Sequence, residues 1–312
     1  MAFRKNDTYK YQHGKTFKIS RSGIDSYLNC KKCFYLNKVK NIKDIGIPGF
    51  LLNSAVDELL KKEFDIHRED KTPHKLMDEI MDKNMIPYQH EDLEKWRNNF
   101  EGISYHHKET DLIITGAIDD VWINKDTSEL VIVEYKSTST QEKIYPKSWW
   151  VNSKDLPLEW LENETKNFIC PICKSKVFDN RNDKASDKSP DFKCSNNKNC
   201  DGIKNFGQYE VSLDDKWKDG YKKQIEIYQW LFKMNKFKVS KDSYFVYANG
   251  LKSQDKFDDK LCFDTRILKH SGSTDWVEKT IFEIKTLLEQ NTIPQNNPEC
   301  DTCSYVESVN SL

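Results

Sequence analysis

Residues 129–140, ELVIVEYKSTST, hold the side chains with the clearest capacity for chemistry. Leu130, Val131, Ile132 and Val133 form an unbroken apolar run that reads as a buried strand, and it leads straight into Glu134 and Lys136. Side chains alternate across a strand, so Glu134 and Lys136 share one face and Tyr135 takes the other. Two charged groups at the end of a core strand are costly unless they pair or coordinate something, and that cost marks a candidate site. Just upstream, TGAIDDVWIN is a second strand-like run joined to the first by a short polar turn. A hairpin of the two brings Asp119 or Asp120 within reach of Glu134, with Asp120 the weaker candidate because it points to the face opposite Asp119. Two such carboxylates supply oxygen ligands to Mg²⁺ or Mn²⁺, hard ions that also bind substrate phosphate. An ion held there acidifies a water and stabilises charge developing on the phosphate, while the lysine positions that water or neutralises the transition state. Glu-x-Lys alone is common on solvated strands. Its place after a core run, with an acidic partner on the preceding strand, gives it weight.

GAID at 116–119, IVEYKST at 132–138 and QIEIY at 224–228 together resemble the PD-(D/E)XK nucleases. More narrowly they resemble the RecB-like branch, which includes the CRISPR-associated RecB-like exonucleases and the AddB nuclease domain. The branch pattern is Gly-x-x-x-His, Gly-x-Ile-Asp, Asp/Glu-x-Lys and Gln-x-x-x-Tyr in that order. The resemblance implies a restriction-endonuclease-like α/β core and metal-dependent hydrolysis of DNA. It makes Asp119 and Glu134 the metal carboxylates and Lys136 the catalytic lysine. It also places Gln224 and Tyr228, at i and i+4 on one helix face, beside the active site. The first motif departs from the pattern: NSAVDELL puts Asn53 where glycine is expected and Asp57 where histidine is. Asp57 is then expected as a third metal ligand, a harder oxygen donor that favours Mg²⁺ over softer ions.

Eight of the nine cysteines fall in pairs, which in a chain with no apolar leader read as metal ligands before disulfides. CPIC, Cys170 and Cys173, and CSNNKNC, Cys194 and Cys200, look like the knuckles of a Zn²⁺ ribbon stapling a small polar insertion. The RecB-like branch often has one cysteine in an N-terminal helix and three near the C-terminus, holding a four-iron–four-sulfur cluster. Cys30 matches the first, Cys300 and Cys303 match two of the last three, and no cysteine follows in SYVESVNSL. Cys33 is the candidate for the fourth thiolate, with the choice between an iron–sulfur cluster and zinc open. Cys262 stands alone and reads as a buried thiol.

The elements that must position these residues follow from periodicity. SRSGIDSYLNCKKCFYLNKV predicts one helix with Ser22 as N-cap and Asp25 three residues on, its core face carrying Ile24, Tyr27, Leu28, Phe34 and Tyr35. LLNSAVDELLKKEFDIHR predicts another, with Leu52, Ala55, Val56, Leu59, Leu60 and Phe64 at helical spacing. Residues 103–137 hold three strand-like runs separated by turn-rich segments, and further strands and two helices follow after residue 210. This order predicts an α/β core around one sheet, formed by residues 1–140 and 211–312, with residues 141–210 as the zinc-ribbon insertion.

The 312 residues are 37% hydrophobic and 32% charged with net charge −1, so no global basic field announces a nucleic-acid coat protein. No apolar run approaches the roughly 20 residues of a membrane span, and the first twenty residues lack a secretory h-region. A cytoplasmic protein without a membrane partner is expected. Lys31, Lys32, Lys61, Lys62, Arg68 and Lys143 flank the expected cleft and are candidate phosphate contacts; Trp149 and Trp150 are candidates for stacking on unpaired bases. The partner expected is DNA, single-stranded or with single-stranded ends. The expected activity is exonucleolytic, in DNA repair, recombination or the processing of mobile or invading DNA. The alternatives are a structure-selective endonuclease and a catalytically silent DNA-binding subunit.

Overall fold

The apolar run that begins at Leu130 forms β6 (Leu130–Thr138), the middle strand of a five-stranded mixed sheet. The structure, a computed structural model, describes residues 10–42, 51–80, 84–139, 173–179, 192–196, 198–199, 213, 218–252 and 256–312. On one side β6 pairs antiparallel with β5 (Asp120–Asn124), Asp120 lying opposite Val133. On the other it runs parallel to β9 (Asp242–Gly250), with Glu134 opposite Phe245. The short β2 (Met85–Pro87) and the long β10 (Phe263–Ser271) close the two edges antiparallel. Covering both faces of β6 explains why its first four residues are all apolar. Val131, Val133 and Tyr135 pack with Leu60 and Phe64 of α3 (Leu51–Asp70), while α5 (Asp219–Met234) also packs on β6.

The strand-like segment 103–137 contains four strands, not three, in two sheets. β3 (Ile103–His107) and β4 (Leu112–Gly116) join β1 (Phe17–Ser20) in a separate sheet of order β1-β4-β3, with β1 parallel to β4. The chain leaves that sheet at Gly116 and enters the five-stranded one at Asp120, so residues 117–119 are a crossing between sheets. Within this crossing Ile118 is buried, while Ala117 and Asp119 are half-buried.

The single helix expected from residue 22 is two: α1 (Arg21–Asn29) and α2 (Lys31–Lys38). Cys30 interrupts them with an extended backbone (φ −157°, ψ 108°) and caps α2 through its own sulfur, which accepts from the Cys33 amide at 3.5 Å. The N-cap of α1 is Ser20, whose Oγ accepts from the Gly23 amide at 3.1 Å; Ser22 lies inside the helix. The end of β1 leaves Ser20 already extended, so the cap falls two residues early. In α3, only Leu60, Phe64 and Arg68 are buried, and Leu52, Ala55 and Leu59 are exposed despite their spacing. Cys262 also departs from expectation: it is exposed, in the turn before β10.

The rest of the described core is supplied by α4 (Leu93–Arg97), whose Trp96 is buried, and by α6 (Asp275–Glu289). α6 buries Val277, Ile281, Ile284 and Leu288 and packs against α1, α2 and α5. α7 (Asp301–Asn310) follows it. The chain divides into two compact units, Met1–Thr138 with Lys216–Leu312, and Ser139–Asp215. In the second unit, the described strands β7 (Val177–Asp179) and β8 (Phe192–Cys194) form an antiparallel pair. No described helix is long and apolar enough to cross a membrane.

Candidate functional site

The alternation predicted for β6 delivers Glu134 and Lys136 to one cleft of about 350 Å³, lined also by Asp57, Asp119, Gln224 and Tyr228. The hairpin register places Asp119 beside Glu134, and the Tyr135 amide donates to Asp119 Oδ2 at 2.8 Å. Glu134 is 3% exposed, and its Oε1 accepts from Lys136 Nζ at 2.8 Å and from Gln224 Nε2. Its other oxygen, Oε2, is buried and has no hydrogen-bond partner among the described residues. An orphaned anionic oxygen is expensive, and this one belongs to a residue that lines the cleft.

Gln224 and Tyr228 share a face of α5, as i and i+4 spacing requires. The Gln224 side chain links three partners: Oε1 accepts from Lys136 Nζ at 3.2 Å, while Nε2 donates to Glu134 and to the Tyr228 hydroxyl at 3.1 Å. Gly116 makes room for this arrangement. A Cβ there would stand 2.5 Å from Tyr228 Cε1, so any other residue would push the ring away. Tyr221 adds a face to the lysine, its ring centroid 4.7 Å from Lys136 Nζ.

Crowding of like charge controls the protonation of the cleft. Burial, and then the neighbouring Glu134, push the Asp119 carboxyl up to about 7, although 20% of its side chain reaches solvent. Burial and then Asp119 also raise Asp57. Burial disfavours the Lys136 ammonium, but Glu134 and Asp119 outweigh it and hold the group above the usual lysine range. Lys61 is raised in the same way by Asp119 and Asp57; it donates to Asp57 Oδ2 at 2.8 Å and approaches Asp119 Oδ1 at 3.7 Å. Three carboxylates thus face two ammonium groups. A divalent cation would add positive charge where Asp119 and Glu134 repel one another.

Asp120 has a different part. It is fully buried and accepts from Arg68, from Arg97 Nη2 at 3.1 Å, from the Tyr135 hydroxyl at 2.8 Å and from Trp122 Nε1 at 3.3 Å. Arg97 also donates through Nε to the Asp119 carbonyl at 3.1 Å, tying this core network to the backbone of the cleft. Arg68, expected as a phosphate contact, is 3% exposed and committed to Asp65 and Asp120. Of the other basic candidates, Lys61 donates to the cleft residue Asp57, Lys62 pairs with Glu58, Lys32 donates to Asn296 and Lys31 lies over the Tyr27 ring. Lys143, Trp149 and Trp150 lie outside the described residues. Arg21 also lines the cleft, paired with Asp25 at 2.5 Å. Its only sequence signal is its place in the first turn after a strand.

The chain matches no known family, no curated protein and no solved structure.

A second cluster lies where α1 meets α2. Cys30, Cys33, Cys300 and Cys303 bring their sulfurs within 4.8 Å of one another, and this set can bind a metal such as zinc. The expected ribbon is only partly visible: Cys173 is described, Cys194 is placed by its backbone in β8, and Cys170 and Cys200 lie outside the described residues.

Proposed function

We propose that the chain is a Mg²⁺- or Mn²⁺-dependent nuclease with a restriction-endonuclease-like core, hydrolysing DNA phosphodiester bonds. The observation that carries this reading is the buried, unpartnered Oε2 of Glu134, a residue that lines a cleft together with Asp119, Asp57 and Lys136. Hard oxygen donors without sulfur or imidazole suit Mg²⁺ or Mn²⁺. Asp119, Glu134 and Asp57 would hold the ion, which when bound supplies Lewis acidity to the phosphate and an acidified water.

The protein's own groups do the rest. Glu134 Oε1 is engaged by Lys136 and Gln224, which leaves Oε2 as the oxygen free to bind an ion. Lys136 keeps its ammonium charged and aimed beside the carboxylates, where it neutralises charge developing on a phosphoryl oxygen. Gln224 fixes the lysine, and the Tyr228 hydroxyl fixes Gln224. Arg21 supplies positive charge at the cleft wall for a polyanion. The motif order GAID, EYK and QIEIY supports the RecB-like exonuclease form of the reading.

Purified protein incubated with Mg²⁺, Mn²⁺ or EDTA on linear and circular, single- and double-stranded DNA tests it. Ion-dependent cleavage of linear substrates is expected. Absence of cleavage on every substrate with either ion would overturn the nuclease reading.

A further inference from the structure

Two CxxC pairs separated by some 270 positions converge on one point, with their sulfurs closely spaced. Cys30 and Cys303 stand 3.6 Å apart, Cys33 and Cys300 3.7 Å, and Cys33 and Cys303 3.8 Å. Four thiolates at the corners of a tetrahedron around zinc, with Zn–S bonds of about 2.3 Å, lie about 3.8 Å from one another. In a four-iron–four-sulfur cluster each thiolate binds a different iron, which spreads the sulfurs to roughly 6 Å. No pair here exceeds 4.8 Å. The cage is too small for the cluster that the family resemblance implies, and fits a single tetrahedral ion.

The backbone prepares the same site. Cys30 is the N-cap of α2 and Cys300 the N-cap of α7, so both pairs occupy first helical turns, where the positive end of the helix dipole favours thiolate. The Cys33 amide donates to Cys30 Sγ at 3.5 Å. Cys30 is also the residue at which α1 ends and α2 begins. α7 gains most from the ion. Cys303 is its one buried residue, while Tyr305, Val306, Val309 and Leu312 at the end of the chain are exposed. Little apolar burial holds this helix to the core.

We propose that Cys30, Cys33, Cys300 and Cys303 bind one Zn²⁺, not an iron–sulfur cluster, and that this ion is the principal anchor of the C-terminal helix. The inference is independent of the nuclease reading.

The test is metal and acid-labile sulfide content of the full chain purified without oxygen, beside Cys300→Ser/Cys303→Ser. The double variant should hold one zinc fewer per chain, with no sulfide in either protein. Wild-type protein stripped and reloaded with Co²⁺ should show the visible bands of tetrahedral thiolate coordination. Amide exchange after chelation should accelerate in α7 while β6 stays protected, a readout that does not require the variant to fold. Iron with sulfide, a single iron, an unchanged zinc count or unaltered exchange in α7 would each overturn the proposal.

Discussion

Asp119 and Asp120 are neighbours in sequence and should respond oppositely to removal. Asp120→Ala takes away the acceptor of Arg68, Arg97, Tyr135 and Trp122 in a site where Asp120 is 0% exposed. Breaking a buried charge pair costs about 3–5 kcal/mol. The orphaned Tyr135 hydroxyl would add about 1–3 kcal/mol. Asp65 offsets part of this, because it still accepts from Arg97 at 2.9 Å and from Arg68. A net loss of about 3–5 kcal/mol is expected, a large part of the roughly 5–15 kcal/mol that stabilises a typical domain. Asp120→Asn, which keeps one acceptor, should cost less. Asp119→Ala loses one bond from the Tyr135 amide, worth about 1 kcal/mol, and a longer, partly exposed contact with Lys61, and also removes the repulsion with Glu134. Metal-free Asp119→Ala should therefore stay within about 1 kcal/mol of wild type, while losing cleavage. Urea unfolding followed by tryptophan fluorescence, with and without Mg²⁺, reads both. Equal destabilisation by the two substitutions, or an Asp120→Ala protein as stable as wild type, would refute this division between core and cleft.

Because the folded Asp119 carboxyl is raised to about 7, its contribution to stability is full below its unfolded value and is lost as pH rises through about 7. Metal-free wild type should thus lose stability between about pH 4 and 7 relative to Asp119→Asn, and Mg²⁺ binding, measured by calorimetry, should strengthen over that range as a proton is released. Gln224→Ala frees both Lys136 and Glu134, and single-turnover cleavage should fall about 100-fold with little change in stability. Gly116→Ala should displace Tyr228, lowering stability by about 1–3 kcal/mol and slowing cleavage without contact with the ion, as thermal melts and cleavage rates would report.

Glu134 and Lys136 were legible because the period of a strand assigns faces without any knowledge of the fold. The resemblance to the RecB-like motifs implies a place for Gln224 and Tyr228 beside the active site, and the structure brings both to the same cleft. What stayed hidden was set by tertiary packing. The apolar pattern of a helix runs through Cys30, so nothing local signals that the sulfur turns inward and divides α1 from α2. Leu52 and Leu59 repeat at helical spacing yet are exposed, because the face of α3 that packs on the sheet carries Leu60 and Phe64 instead. Arg68 and Arg97 look like surface residues in sequence, and only the folding of distant segments around Asp120 gives them a buried partner.

The central claim is that Asp119 and Glu134 gather a divalent ion beside Lys136. Crystals soaked in Mn²⁺ test it most directly, through the anomalous scattering of that ion. The account predicts a peak in coordination contact with Glu134 Oε2 and Asp119, lost in Glu134→Gln. Diffraction without a peak in this cleft, from crystals in which Glu134 still binds only Lys136 and Gln224, would contradict it.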